Sequence, residues 1–277
     1  MNKLSEIIAC KRQEVVEQKS LYPVRLLEKS PFFNTTPVSL KHYLSRSDKS
    51  GIIAEFKRKS PSCGWINQTA SVEQVSIGYM QAGAAALSVL TDQPFFGGSR
   101  QDLTIARKFN YCPILRKDFI VDEYQIIESR SIGADAILLI AAVLDPASLR
   151  AFTSLALGLG MEVLVEIHEA PEIERSITSG TSLVGVNNRD LKSLEVNLET
   201  SFRLADLLPK EMLKISESGI HTPQDMQALS ACGYSGFLIG ESFMRSSKPE
   251  NACKIFIDSL YSSDNMSNRV ADASTTS

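Results

Sequence analysis

Ile52-Ile-Ala-Glu-Phe-Lys-Arg-Lys-Ser-Pro-Ser62 is an apolar run that ends in charge and then in a Ser-Pro turn. Residues two apart in a strand share a face, so Glu55 and Lys57 project together from its C-terminal end. Taken alone, such a pair also fits an ion pair on an exposed edge strand, where it contributes little. Recurrence separates the two readings. Pro113-Ile-Leu-Arg-Lys-Asp-Phe119, Glu162-Val-Leu-Val-Glu-Ile-His168, Leu183-Val-Gly-Val-Asn-Asn-Arg189, Leu213-Lys-Ile-Ser-Glu-Ser-Gly219 and Gly236-Phe-Leu-Ile-Gly-Glu-Ser242 end in the same abrupt way. Polarity collects at one end of the runs.

With Ala86 to Asp92 and Ala136 to Val143 the apolar runs number eight. Between them lie segments long enough for helices, among them Val72 to Gly83, Glu123 to Ile132, Pro146 to Gly158, Ala170 to Ser179 and Pro223 to Ala231. Strands buried on both faces read as nearly continuous Val, Ile, Leu and Ala, as these do. Eight strand-helix units with short connections predict an α/β protein, a (β/α)8 TIM barrel, better than an open doubly wound sheet. Thr222-Pro223-Gln-Asp is a capped helix start, and Ala82-Gly83 and Cys232-Gly233 are helix stops.

The chain of 277 residues carries a net charge of -3 and has no large basic field. Nucleic acid is therefore not expected as a partner, while an anionic small molecule can be held by a few local cations. The five cysteines, Cys10, Cys63, Cys112, Cys232 and Cys253, show no CxxC or Cys/His pairing at metal spacing. They read as reduced thiols of a cytoplasmic protein, Cys112 and Cys232 as small hydrophobes and Cys63 as exposed in a loop. His42, His168 and His221 never fall three or four residues apart, so no helix-borne metal site is expected. Neither cofactor nor metal is expected. The N-terminus has no apolar h-region, and the run Ala136 to Leu144 is too short to cross a bilayer.

Residues 1–47 precede the first strand as a helical extension, with Leu4, Ile7, Ile8, Val15 and Val16 striping one helix and Ser39 to Ser45 forming a second. That stripe fits either packing on the side or bottom of the barrel or a lid near the loops, and the sequence alone does not choose between them. The barrel is expected over 48–261, followed by a polar, aperiodic and disordered tail over 262–277.

Barrels of this kind draw their reactive residues from the C-terminal ends of several strands. Here those ends supply Glu55, Lys57, Lys117, Glu166, Asn187, Arg189, Ser218 and Gly219, with Asn188 on the opposite face from its neighbours. Two lysines crowded near two glutamates in a partly desolvated mouth tune one another, and the neighbouring cation and burial are expected to lower a lysine's pKa toward the range useful for a general acid. Ser218-Gly219 and Gly240-Glu241-Ser242 close the last two strands, where backbone N–H groups and a helix start suit a phosphate.

Glu55-Phe-Lys-Arg-Lys-Ser60-Pro resembles the signature of the indole-3-glycerol-phosphate synthase family. The resemblance extends through Leu115-Arg-Lys117-Asp-Phe, Val165-Glu166-Ile-His, Gly185-Val-Asn187-Asn-Arg189-Asp-Leu, Ser216-Glu-Ser218-Gly219-Ile, Leu238-Ile-Gly240-Glu-Ser242 and Ile8-Ala-Cys-Lys11-Arg-Gln-Glu14-Val. It implies conversion of 1-(2-carboxyphenylamino)-1-deoxyribulose 5-phosphate to indole-3-glycerol phosphate, carbon dioxide and water. It further implies Glu166 as the base for dehydration, Lys117 or alternatively Lys57 as the acid, Glu55 orienting the lysines and Asn187 holding a hydroxyl. Ser60 and Arg189 suit the anthranilate carboxylate or ribulose oxygens, and Lys57 can share in phosphate or carboxylate binding. Ser218, Gly219, Gly240 and the backbone amide of Glu241 are placed around the phosphate. Phe96 and Phe119 wall the aromatic ring or serve as core, and Trp65 covers the substrate or simply packs.

The expected partner is the small phosphosugar substrate, with no membrane, and the chain is expected as a monomer or weak homodimer. A different phosphosugar barrel, an isomerase or epimerase, has no evident use for Glu55, Lys57 and Lys117 together. A non-catalytic barrel would have lost at least one of these strand-end charges.

Overall fold

The computed structural model describes residues 2–274. Eight parallel strands close into a barrel in sequence order, the last pairing with the first. They are β1 (Ile52–Phe56), β2 (Ala86–Leu90), β3 (Ile114–Lys117), β4 (Ala136–Ile140), β5 (Glu162–Ile167), β6 (Leu183–Asn187), β7 (Leu213–Glu217) and β8 (Tyr234–Ile239). The expected (β/α)8 barrel is therefore the fold. Most predicted runs overshoot the ladder at their C-terminal ends, by two residues at β2, β3, β6 and β7. There the chain leaves its neighbours and turns outward, so Lys57, Arg189, Ser218 and Gly219 lie just beyond the hydrogen-bonded strands.

Period-two alternation divides the apolar side chains into two clusters. Ile53, Leu115, Leu138, Leu164, Ile215 and Leu238 fill the barrel interior. Ile52, Ala54, Phe56, Val89, Ile137 and Val165 face outward and meet the helices. Burial on both faces accounts for the continuous apolar reading of each strand.

The helices are α1 (Lys3–Leu21), α2 (Val24–Leu27), α3 (Leu40–Leu44), α4 (Val72–Gln81), α5 (Arg100–Phe109), α6 (Glu123–Ile132), α7 (Pro146–Gly158), α8 (Ile173–Thr178), α9 (Glu199–Ala205), α10 (Pro223–Ala231), α11 (Glu241–Met244) and α12 (Pro249–Ser274). The Ala170–Ser179 prediction resolves into a 3-10 turn, Ala170–Glu172, running into α8. Thr222 caps α10 with a reciprocal bond to Asp225, as its sequence indicates.

Of the three helices before β1, α3 and α1 close opposite ends of the barrel. Leu40 and Leu44 of α3 join the interior cluster. Ser39 Oγ and Lys41 N donate to the carboxylate of Glu162, the first residue of β5, at 2.5 and 2.8 Å. So α3 plugs the N-terminal end. Leu4 and Ile7 of α1 join the same cluster and line the cavity at the other end beside Phe119, which follows β3. Of the two placements the sequence leaves open, α1 shows both: Leu4 and Ile7 sit at the C-terminal mouth, while its last turns pack beside α6, with Tyr124 Oη donating to the Gln18 carbonyl at 3.1 Å and Val16 exposed. Sequence periodicity identifies a buried face but says nothing about which surface buries it.

α12 continues past the point where an aperiodic tail was expected, as helix to Ser274; residues 275–277 of that expected tail lie outside the described residues. Cys253, Phe256, Ile257 and Leu260 bury its first half, and a helix nucleated by packing propagates at one bond per residue.

Leu40 is fully buried in the N-terminal plug. Leu40→Ala should lower the unfolding free energy by about 2–5 kcal/mol in a urea melt. A much smaller loss would mean that α3 does not contribute to closing the barrel.

Candidate active site

Alternation carries four ionisable side chains inward at the C-terminal rim: Glu55 from β1, Lys117 from β3, Glu166 from β5 and Glu217 from β7. Lys57, two residues beyond Glu55, pairs with it at 2.8 Å, and Glu55 is only 3% exposed. That burial excludes the edge-strand reading of the pair. Lys117 Nζ sits among three carboxylates, 3.2 Å from Glu217, 3.7 Å from Glu166 and 3.9 Å from Glu55. Ser88, opposite Glu55 in the β1–β2 register, donates to its Oε2 at 3.3 Å.

This arrangement reverses the expectation of a lowered lysine pKa. Burial alone would lower the Lys117 ammonium, but Glu217, Glu55 and Glu166 together outweigh it and hold the pKa above the ordinary lysine value. Glu217, a third carboxylate beside Glu55 and Glu166, changes the balance. Burial would raise the Glu55 carboxyl, yet Lys57 and Lys117, with hydrogen bonds from Lys57 and Ser88, keep it below the usual glutamate range. Glu217 goes the other way. Burial, with Glu166 and Glu55 nearby, pushes it up to about 8 against the pull of Lys117.

Glu217 is not among the residues expected from the strand ends. It stands two positions after Ile215, so the alternation that selects Glu55 also selects Glu217. The end of its run is marked instead by the Ser218-Gly219 turn. Its side chain fits because the neighbouring strand carries glycine: a Cβ at Gly185 would collide with Glu217 Oε1. Gly240 plays the same part for Glu55, whose Cβ and Oε1 would each lie 2.8 Å from a Cβ there.

The remaining predicted residues come together around two adjoining cavities. One, of about 90 Å³, is apolar at one end and charged at the other. Leu4, Ile7, Phe96 and Phe119 line the apolar end, and Glu55, Lys57, Lys117, Glu166, Asn187 and Arg189 also line the cavity. Phe96 and Phe119 lie with ring centroids 5.9 Å apart. Asn187 Oδ1 accepts from the Arg189 N–H at 3.0 Å, which leaves its own N–H groups for a ligand. Asn188 points away, as expected, donating to Ser216 Oγ and to the Ser218 carbonyl at 3.0 Å. Ser60 is buried in the turn after β1, where it accepts from Cys63 N at 3.2 Å. Trp65 is half exposed, with the Lys59 ammonium 5.6 Å above its ring, and takes no part in either cavity lining.

The second cavity, of about 400 Å³, is polar and lies at the ends of β7 and β8. Ser218 and Gly219 both adopt left-handed backbone, at φ 68° and 79°. For serine that conformation costs on the order of 1 kcal/mol, and it turns successive backbone groups toward the cleft. α11 begins at Glu241 with N–H groups that have no helical acceptor. Lys57, Arg189 and Arg245 add positive charge. The Glu241 carboxylate meets Arg245 at 2.7 Å and Arg189 at 3.3 Å, and Cys63 Sγ lies 3.2 Å from it. Arg245 was not singled out in the sequence; its only signal is its place one helical turn after Glu241.

The sequence model of the family described as indole-3-glycerol phosphate synthase matches residues 4–256. The chain is 47% identical over 259 residues to an indole-3-glycerol phosphate synthase of Bacteroides thetaiotaomicron, covering 93% of this chain and 98% of that protein. It is 40% identical to one of Carboxydothermus hydrogenoformans, over 92% of this chain and 99% of the relative. Among solved structures it is similar to a thiamine phosphate pyrophosphorylase from Pyrococcus furiosus, with a TM-score of 0.55 at 12% identity over 76% of this chain and 95% of that one. The native KDPGal structure matches with a TM-score of 0.54 at 15% identity, over 79% and 96%. At such identities the structural matches speak for the barrel alone.

Because folding raises the Glu217 pKa, its protonated form is favoured in the native state. Its contribution is fully present below the unfolded glutamate value and is lost as pH rises through about 8. Glu217→Gln should therefore flatten the decline in stability between pH 5 and pH 8 relative to the wild type. Parallel curves in urea melts across that range would show that Glu217 titrates normally.

Proposed function

The chain belongs to the indole-3-glycerol phosphate synthase family, and from that premise we propose how the residues of its barrel mouth divide the work. The reaction is that of a carboxy-lyase of tryptophan biosynthesis. It closes the pyrrole ring of 1-(2-carboxyphenylamino)-1-deoxyribulose 5-phosphate with loss of carbon dioxide and water.

The observation that carries the assignment is a buried ammonium, Lys117, enclosed by Glu55, Glu166 and Glu217 between a partly apolar pocket and a polar cleft. The substrate has three corresponding parts: an aryl ring, a ketone where the new bond forms, and a terminal phosphate. With the ring among Leu4, Ile7, Phe96 and Phe119 and the phosphate in the cleft, the ketone comes to the charged centre.

Ring closure pushes electrons from an aromatic carbon onto the ketone oxygen. Lys117, held protonated by its three carboxylates, stabilises that oxygen and delivers the proton. Decarboxylation then restores aromaticity. Dehydration needs an acid for the departing hydroxyl and a base for the ring proton; Glu166 supplies the base. Lys57, paired to Glu55, is the alternative acid. Glu55 orients both lysines, and Asn187 donates to a substrate hydroxyl.

Arg189 and Ser60 anchor the substrate carboxylate or sugar oxygens. Ser218, Gly219, Gly240 and the backbone N–H of Glu241 hold the phosphate, while Arg189 and Arg245 offset the Glu241 side-chain charge. Each proton transfer is assigned to a side chain, so turnover in EDTA should match turnover without it. We place the enzyme in the cytoplasm, as its free thiols suggest, and expect a monomer or weak homodimer. Among the described residues no helix is long and apolar enough to cross a membrane.

Turnover of the substrate, followed by indole fluorescence, is the direct test. Lys117→Met should keep the fold and lower kcat by roughly 10²–10⁴-fold; near-normal activity would move the acid role to Lys57. Glu166→Gln should release carbon dioxide faster than it forms indole in a single turnover. Matched carbon dioxide release and indole formation at the wild-type rate would remove Glu166 as the dehydration base.

A further inference from the structure

Lys11 is 1% exposed although it belongs to the N-terminal helix. Its ammonium lies 2.7 Å from Glu14, 3.0 Å from Asp92 and 3.0 Å from Asp118. A buried charge of this kind persists only with close counter-ions, and both aspartate side chains are themselves 1% exposed. The partners come from α1 and from the segments that follow β2 and β3.

Each aspartate also organises the segment that carries it. Asp92 Oδ1 accepts from the Phe95 N–H at 2.9 Å, and the Asp92 carbonyl from the Gly98 N–H at 2.9 Å. Asp118 Oδ1 accepts from the Phe119 N–H at 2.8 Å, and its Oδ2 from Thr91 Oγ1 at 2.5 Å and Arg116 at 3.0 Å. Those segments present Phe96 and Phe119, and α1 presents Leu4 and Ile7. All four belong to the apolar lining of the mouth cavity, with Leu138, Ile140 and Leu238 from the barrel interior. A single ammonium therefore joins the elements that build that end, and one of its partners directly follows Lys117.

We infer that Lys11 is a positioning residue that assembles the pocket for the aryl ring of the substrate by pinning α1 to the segments after β2 and β3. The inference rests on the reading of this cavity as the active site. Without the ammonium, Asp92 and Asp118 are left buried with one counter-ion fewer, and the helix loses its polar anchor to both segments. The polar cleft at the ends of β7 and β8 shares none of Lys11, Asp92, Asp118, Leu4, Ile7, Phe96 or Phe119. Loss of the pin should consequently weaken one end of the substrate and spare the other.

The test compares the full-length wild type with Lys11→Met and Lys11→Arg in steady-state kinetics, with anthranilate and inorganic phosphate as separate competitive probes. Lys11→Met should raise KM and the anthranilate inhibition constant by about tenfold or more, with the phosphate constant within about twofold; Lys11→Arg should restore KM to within about threefold. Asp92→Asn, which keeps an oxygen for Phe95 N–H, should shift the same two constants in the same direction and serves if the methionine variant does not fold. Unmoved constants in the folded variants, or equal weakening of both probes, would overturn the inference. An inactive wild type would overturn the active-site reading and the inference with it. An active wild type with unmoved variants overturns the role of Lys11 alone.

Discussion

A charged cluster inside a closed barrel is the constraint on which the rest of this structure depends. Glu55, Lys57, Lys117, Glu166 and Glu217 cannot be buried at the rim unless they neutralise one another, because an unpaired charge in that setting is costly. Lys117 is the common partner, facing three carboxylates within 3.9 Å. One consequence is chemical: the ammonium stays protonated while one carboxyl, Glu217, is pushed toward neutrality. The cluster thus contains an ammonium that stays charged and a carboxyl held well above the ordinary glutamate range.

The fold accommodates the cluster sterically as well as electrostatically. Side chains within one layer of the barrel come from alternate strands, and the strands between them must leave room. Gly185 yields to Glu217 and Gly240 yields to Glu55. Below this layer, Ile53, Leu115, Leu164 and Ile215 exclude water and α3 plugs the far end. Polar chemistry is therefore open to solvent from one direction only. From that direction α1 narrows the entrance with Leu4 and Ile7.

Two kinds of cation serve different purposes here. Lys117 and Lys57 line the cavity, where the proposed reaction needs protons and developing charge. Arg116 is structural: it points out of the barrel, fully buried among Thr91, Asp118, Ser129 and Glu128. Sequence neighbours on one strand thus take opposite roles because alternation sends them to opposite faces. Lys11 belongs with Arg116 in bonding, yet its partners border the cavity.

The sequence by itself determined the barrel. Strand periodicity, short connections and polarity at one end of each run are local properties, and eight parallel strands have few other ways to bury both faces. It also determined which strand ends meet, so Glu55, Lys57, Lys117, Glu166, Asn187 and Arg189 could be named from alternation alone. Only the tertiary structure decided the charge balance, because Glu217 and Lys117 lie on β7 and β3, far apart in sequence, and their distance follows from closure. Closure also set the sign of the Lys117 shift, which no count of local charges could give. The placement of α1 was likewise decided in three dimensions: an amphipathic stripe says that a face is buried, while the partners of Lys11 say where.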